Sequence, residues 1–246
     1  MTVARTLQVA RLGVVEYQDA WELQRRMALL RRHELIPDTL LLLEHPHTYT
    51  LGRRGKLDHI LLTPCQLAGR KIEVHEVDRG GDATYHGPGQ LVGYPILKLE
   101  PGRMTFVHYI RRLEAALLQA VRDLGIAAGL QEGYSGVWIG DEKVCAIGVK
   151  VDARGITSHG FALNVNTDLS YFGHIIPCGI TDKGVTSLQR ELGRQVSMRR
   201  VQDAVARCIG ETFELQVQVR SAGPRTLESK LARADARLLE TATGLR

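Results

Sequence analysis

No CxxC pair occurs in this sequence; its four cysteines stand at positions 65, 145, 178 and 208. That spacing excludes a zinc ribbon and offers no disulfide framework, and free thiols fit a reduced, cytoplasmic protein. No apolar run approaches the length of a membrane span, since Leu40–Leu43 is too short. Met1–Ala10 lacks the apolar core of a secretory signal. Aromatic residues are scarce, at 5%. They do not interleave with basic residues, which argues against a nucleic-acid surface built on stacked bases. Neither a GxxxxGK[ST] loop nor a dinucleotide fingerprint is present, which argues against nucleotide chemistry. His45 and His47, in Glu44-His45-Pro46-His47, have no acidic or cysteine partner at a recognised ligand spacing, so no metal is expected. Internal repeats and low-complexity linkers are also missing.

What is present is ordinary in bulk. The chain has 246 residues, 44% hydrophobic and 24% charged, enough to bury a full core. A net charge of +5 is compatible with an acidic partner, and equally with a solvated surface rich in arginine. Gln18–Arg32 and Thr105–Leu124 carry apolar residues at helical spacing, the second with Gly125 just past its end. Thr39–Glu44 reads as a buried strand, and Thr63-Pro64 as a helix start. Ile72–Asp78 alternates in part, and Leu91–Leu97 reads as a strand. Tyr134–Ile139, Lys143–Val151 and Ile156–Val165 read as an antiparallel meander turning at Gly140-Asp141 and Asp152–Gly155. Asn166–Val185 is irregular. Val201–Phe213 is helical and Leu215–Val219 is strand-like. Leu227–Thr241 is a helix after the Ala222-Gly223-Pro224 break, packed loosely or kept for a contact. Strands and helices mix without regular βαβ alternation, which predicts an α+β fold.

The most unusual stretch is Arg79-Gly80-Gly81-Asp82-Ala83-Thr84-Tyr85-His86-Gly87-Pro88-Gly89-Gln90. Its four glycines suggest one long loop that bends sharply and comes close to something else. Gly80 and Gly81 are expected to need positive φ or close backbone approach. Arg79 and His86 either position an acyl or carboxylate-like oxygen or serve hydrogen bonds inside the loop. Cys178 lies in Pro177-Cys178-Gly179, a non-periodic turn that leaves a thiol and the following N–H accessible, so it is a candidate nucleophile. Cys65 and Cys208 fall on helical patterns and read as small core residues, and Cys145 as a buried strand cysteine. Lys143 opens an otherwise apolar strand. It is either a proton carrier in a partly desolvated site or a lysine at a hairpin edge.

Taken together, these segments resemble the octanoyltransferase family, also called lipoate–protein ligase B or lipoyl(octanoyl) transferase. The resemblance rests on Glu44-His45-Pro46 with Thr50-Leu51-Gly52-Arg53-Arg54, on Arg79–Gln90 with Tyr94-Pro95, and on Lys143 with Ala146-Ile147-Gly148. It continues through His159-Gly160-Phe161-Ala162-Leu163-Asn164 to Pro177-Cys178-Gly179 with Val185-Thr186-Ser187-Leu188. These motifs run in order over roughly residues 40–190, and their combination is far more specific than any one of them. Beyond Val219 no motif matches.

The resemblance implies a mixed sheet with packed helices plus a smaller sheet, like the catalytic domain of biotin and lipoate ligases. Residues 1–219 would be one catalytic domain and 220–246 a helical extension. The implied reaction moves an octanoyl (or lipoyl) group from acyl carrier protein to a specific lysine of a lipoyl domain. The acceptors would be the lipoyl domains of 2-oxoacid dehydrogenase complexes and the glycine cleavage H protein. No cofactor, metal, nucleic acid or membrane is implied. By the same resemblance Cys178 is the acyl-thioester nucleophile and Lys143 the residue that lowers its pKa. Substrate binding falls to Arg79, Gly80, Gly81, Asp82, Ala83, Thr84, Tyr85 and His86, to Ala146, Ile147 and Gly148, and to Gly160, Phe161 and Ala162. The rival readings are an ATP-dependent lipoate or biotin ligase, a nucleic-acid-binding module, and a cysteine hydrolase with His159 or His174 as base.

Overall fold

The computed structural model describes residues 5–100, 102, 104–176, 183–219 and 224–243. The chain opens with strand β1 (Thr6–Val14), helix α1 (Tyr17–Arg32), β2 (Asp38–Glu44) and β3 (Thr48–Leu51). A short helix α2 (Pro64–Gly69) follows, then β4 (Glu73–Glu76), β5 (Ala83–His86) and β6 (Gln90–Ile96). After helix α3 (Phe106–Asp123) come β7 (Gly129–Gln131), β8 (Tyr134–Ile139), β9 (Glu142–Val151), β10 (Thr157–Asn164) and β11 (Gly184–Val185). The last elements are α4 (Leu188–Leu192), α5 (Met198–Phe213), β12 (Gln216–Val219) and α6 (Pro224–Thr243).

The main sheet runs β12-β1-β2-β6-β10-β9-β8-β7, with β11 joined to β9. β12, β1 and β2 are parallel neighbours, β2 through β7 pair antiparallel, and β11 lies parallel to β9. A second sheet, β4-β3-β5, stands apart from it. The α+β class and the meander β8-β9-β10 are therefore as the sequence predicts.

Both faces of the main sheet are covered, which explains the uninterrupted leucines of β2. Leu40 and Leu42 join the core under α3 and α5, while Leu41 and Leu43 join the core under α1. α3 starts where the Thr105 hydroxyl accepts the His108 N–H, and α2 carries a full capping box between Thr63 and Gln66. α6 is not loosely packed. Leu231 and Ala234 are buried against α1, and Arg26 Nε donates to Asp235 at 2.8 Å.

Several elements escape the sequence reading: β1, β3, β7, β11 and α4. The stretch 79–90 is not one loop, because its centre is β5, paired antiparallel with β3. Cys65 is exposed, not a core residue, because α2 buries none of its residues; Cys145 and Cys208 are buried as expected. Gly81 does take positive φ, at 93°, but Gly80 does not.

Close backbone packing leaves no room for side chains at the sheet centre. Gly160 faces Gly148 across the β9–β10 pair, and a Cβ on it would overlap the Gly93 carbonyl and Pro95. Gly160→Ala should therefore lower stability by about 1–3 kcal/mol in denaturant melts. Gly129→Ala, where a Cβ would meet nothing within 4 Å, should leave the midpoint in place.

Candidate active site

A cavity of about 280 Å³ is lined by residues of both sheets. One wall is the glycine-rich stretch Arg79–Thr84 with His86, and the opposite wall is β9 and β10. The wall segment rests on β9 through Gly80 N–H to Val149 O at 3.1 Å. A Cβ on Gly148 would sit 3.1 Å from both Arg79 Cδ and Gly80 O, so glycine there permits the approach. The end of β3 secures the other side. Gly52 N–H reaches Asp82 O at 3.2 Å and Arg54 N–H reaches Gly81 O at 3.1 Å.

The buried Arg79 uses its guanidinium within this framework. Nη2 donates to Thr50 O, Thr50 Oγ1 and Asp82 O, each at 2.8 Å. His86 is also tied locally, its Nδ1 lying 2.9 Å from Gln90 Oε1. Burial and the neighbouring His45 push His86 well below the ordinary imidazole range. Both residues line the cavity, and both make the hydrogen bonds that the loop-internal reading predicts.

Of the residues singled out from sequence, the cavity brings together Arg79, Gly80, Gly81, Asp82, Ala83, Thr84, His86, Lys143, Ala146, Ile147, Gly148, Gly160, Phe161 and Ala162. Tyr85 is not among them. It points into the core of the second sheet, where its hydroxyl lies 2.7 Å from His47 Nδ1 and its ring stacks on Tyr171. In β5 successive side chains alternate, so Tyr85 faces away from the side that Thr84 and His86 share. Pro177, Cys178 and Gly179 lie outside the described residues.

Lys143 stands at the start of β9, and its Nζ lies 4.7 Å from the Trp138 ring centroid. β11 pairs alongside it, with Val185 opposite Lys143 and Thr186 N–H donating to Lys143 O at 3.1 Å. Ile176, two residues before Cys178, donates its N–H to His59 O at 2.8 Å. Among the other cysteines, burial pushes the Cys145 thiol far up and the Cys208 thiol to about 11, so neither supplies a thiolate near neutrality.

Other side chains reach the cavity beyond those assigned to it from the sequence. Tyr17 from α1 and Tyr94 from β6 both line it, and Tyr94 Oη lies 2.7 Å from His45 Nε2. His45 Nδ1 lies 2.6 Å from Val15 O, so that carbonyl accepts from Nδ1 and the Tyr94 hydroxyl donates to Nε2. This pair of bonds engages both ring nitrogens of His45. On the far edge His159 Nε2 lies 2.7 Å from Asp78 Oδ1, and Lys150 pairs with the same carboxylate. Burial pushes Asp78 up, yet the bonds from Lys150 and His159 outweigh it and hold the carboxyl at about 2. His159 takes a left-handed φ of 56°, with its N–H on Gln24 Oε1 at 2.8 Å.

Burial, opposed by the bond to Val15, lowers His45 to about 4. An unfolded imidazole titrates near 6.5. Below that pH the unfolded chain binds more protons than the folded one, so stability falls as pH drops from about 6.5 towards about 4. His45→Gln should flatten part of that fall in melting temperature, with the remainder left to His86 and His159. An unchanged acid slope would place the sensitivity elsewhere.

The family profile of the lipoyl protein ligase A/B catalytic domain matches residues 16–210. An octanoyltransferase of Chloroflexus aggregans is 49% identical over 214 residues, covering 86% of this chain and 97% of that protein. One from Rubrobacter xylanophilus is 50% identical over 199 residues, covering 80% and 89%. The fold is shared with a bipartite lipoate protein ligase of Thermoplasma acidophilum at a TM-score of 0.70 and 18% identity, covering 94% of this chain and 91% of that one. With a glycine-walled cavity between two sheets and these likenesses over most of its length, the chain belongs to the lipoyl protein ligase A/B catalytic-domain family and, within it, to the octanoyltransferases, which makes it an acyltransferase.

Proposed function

We propose that this protein takes an octanoyl group from the thioester of acyl carrier protein and places it on a lysine of a lipoyl domain, with Cys178 as the intermediate carrier. The acceptors in this reading are the lipoyl domains of 2-oxoacid dehydrogenase complexes and the glycine cleavage H protein. The carrying observation is an apolar, glycine-walled cavity with Lys143 at it, in an octanoyltransferase chain. Apolar lining suits an alkyl tail, and the wall glycines let a bound acyl group come close to the backbone. Residues 1–219 form the catalytic domain and 220–246 an extension. The cytoplasm, where thiols stay reduced, is the compartment this reading assigns.

In the first half the Cys178 thiolate attacks the octanoyl carbonyl. The tetrahedral intermediate collapses with cleavage of the bond to the pantetheine sulfur, which takes a proton from the Lys143 ammonium. In the second half the acceptor amine attacks the new thioester and Lys143 receives its proton. The carbon–sulfur bond breaks and the Cys178 thiolate is regenerated. The donor is already activated, so the cycle needs no ATP. The ligases of similar fold are distant, and transfer that depends on added ATP and free acid would move the assignment to them.

Mixing the protein with octanoyl-acyl carrier protein should add one octanoyl mass to the peptide containing Cys178, and adding a lipoyl domain should discharge it. Cys178→Ser should abolish transfer, whereas Cys145→Ser should leave most of it; the reverse pattern overturns the assignment. Lys143→Met should slow transfer by roughly 10²–10⁴, the range for one acid–base group. Lys143→Arg should be impaired too, because guanidinium keeps the charge but not the labile proton. A fully active arginine variant would reduce Lys143 to a fixed charge.

A further inference from the structure

The 3₁₀ turn Leu57–His59 holds two separate parts of the site through one residue. His59 Nδ1 donates to Asp82 Oδ1 at 2.6 Å, and the His59 carbonyl accepts the Ile176 N–H at 2.8 Å. Asp82 is part of the glycine-rich wall. Its carboxylate also accepts the Ala83 N–H at 2.6 Å, and its carbonyl accepts from Gly52 and Arg79. Ile176 directly precedes Pro177-Cys178 in the sequence. The turn is itself well anchored. Ile60 pairs with Ile175 as an antiparallel bridge, and Leu61 N–H donates to His174 O at 2.9 Å.

We propose that His59 is a positioning residue that couples the Asp82 wall of the acyl cavity to the segment carrying Cys178. The inference rests on the octanoyl-transfer reading above. Acyl transfer needs the thiol and the bound carbonyl at a fixed separation, and misplacement by about 1 Å costs up to about a hundredfold in rate. Without the imidazole, the nearly buried Asp82 carboxylate loses one of its two donors, and the wall is released from the turn. The Ile60–Ile175 bridge and the Leu61 bond do not involve the His59 side chain, so the fold persists while the two parts of the site lose their common anchor.

The test measures the rate of acyl-enzyme formation with octanoyl-acyl carrier protein, beside the melting temperature, in His59→Ala, His59→Asn, Asp82→Ala and the double variant His59→Ala/Asp82→Ala. His59→Ala should slow acylation at saturating donor by about tenfold to a hundredfold, with the donor KM near the parental value. His59→Asn places an amide N–H near the position of Nδ1 and should recover most of the rate. The double variant should lose less than the product of the two single losses, since both changes break the same link. Parental acylation by His59→Ala, no rescue by asparagine, or multiplicative losses in the double variant would each overturn the coupling. If His59→Ala does not fold, recovery in His59→Asn set against loss in Asp82→Ala decides the question. Should Cys178→Ser still transfer, the octanoyl-transfer mechanism itself fails and the coupling falls with it. Should Cys178→Ser be dead and His59→Ala run at the parental rate, the coupling alone falls.

Discussion

The hydrogen bond from Gly80 to Val149 joins the glycine-rich wall of the second sheet to the edge of β9. Nearly everything at the site depends on that approach. It is possible because Gly148 and Gly160 face each other on neighbouring strands, with Gly93 beneath them, and a Cβ at Gly148 or Gly160 would push the backbones apart. The result is a cavity whose walls are main chain as much as side chain. Such walls present N–H and C=O groups at fixed positions and leave space for an alkyl tail.

Electrostatics inside this space follow from burial. His45 and His86 are held as neutral imidazoles, and Tyr17 is pushed up to about 12 because a buried phenolate is costly. Charge stands in the walls: the Asp78–Lys150–His159 group on one side, Arg79 and Asp82 inside the glycine-rich stretch, and Lys143 over the face of Trp138 on another. An apolar interior with cations in its walls suits an acyl group, which arrives uncharged and develops negative charge on its carbonyl oxygen only as it reacts.

The overall fold is shared with a lipoate protein ligase, at 18% identity and a TM-score of 0.70. The chemistry is decided by which side chains reach the cavity. α1 takes part through Tyr17 at the cavity and through Gln24, whose Oε1 holds His159 in its left-handed conformation. α6 packs on the opposite side of α1, with Leu231 buried and Arg26 held by Asp235.

Much of this is legible from local pattern. The helices α1, α3 and α5 and the meander β8–β10 follow from periodicity, caps and turns, because each depends on residues close in sequence. The run Leu40–Leu43 is apolar throughout because both faces of the sheet are covered, and that too shows in composition. The glycines of 79–90 announce a close approach, although not the strand inside it. β5 forms only because β3 lies beside it, and no short-range pattern encodes that pairing. For the same reason nothing local marks Tyr17, and Tyr94 and His45 show only as members of longer motifs: the three come from parts of the chain that meet only after folding. Tyr85 shows the converse, since a strand with one face in a core must turn alternate residues away from the cavity. The sequence by itself determined the long helices, the meander, the glycine-rich approach and the residues Lys143 and Cys178 as candidates. Tertiary structure alone decided which glycines touch, which rings close the cavity, and that His59 bonds at once to Asp82 and Ile176, because those contacts join segments separated by tens of residues and depend on the packing of whole sheets.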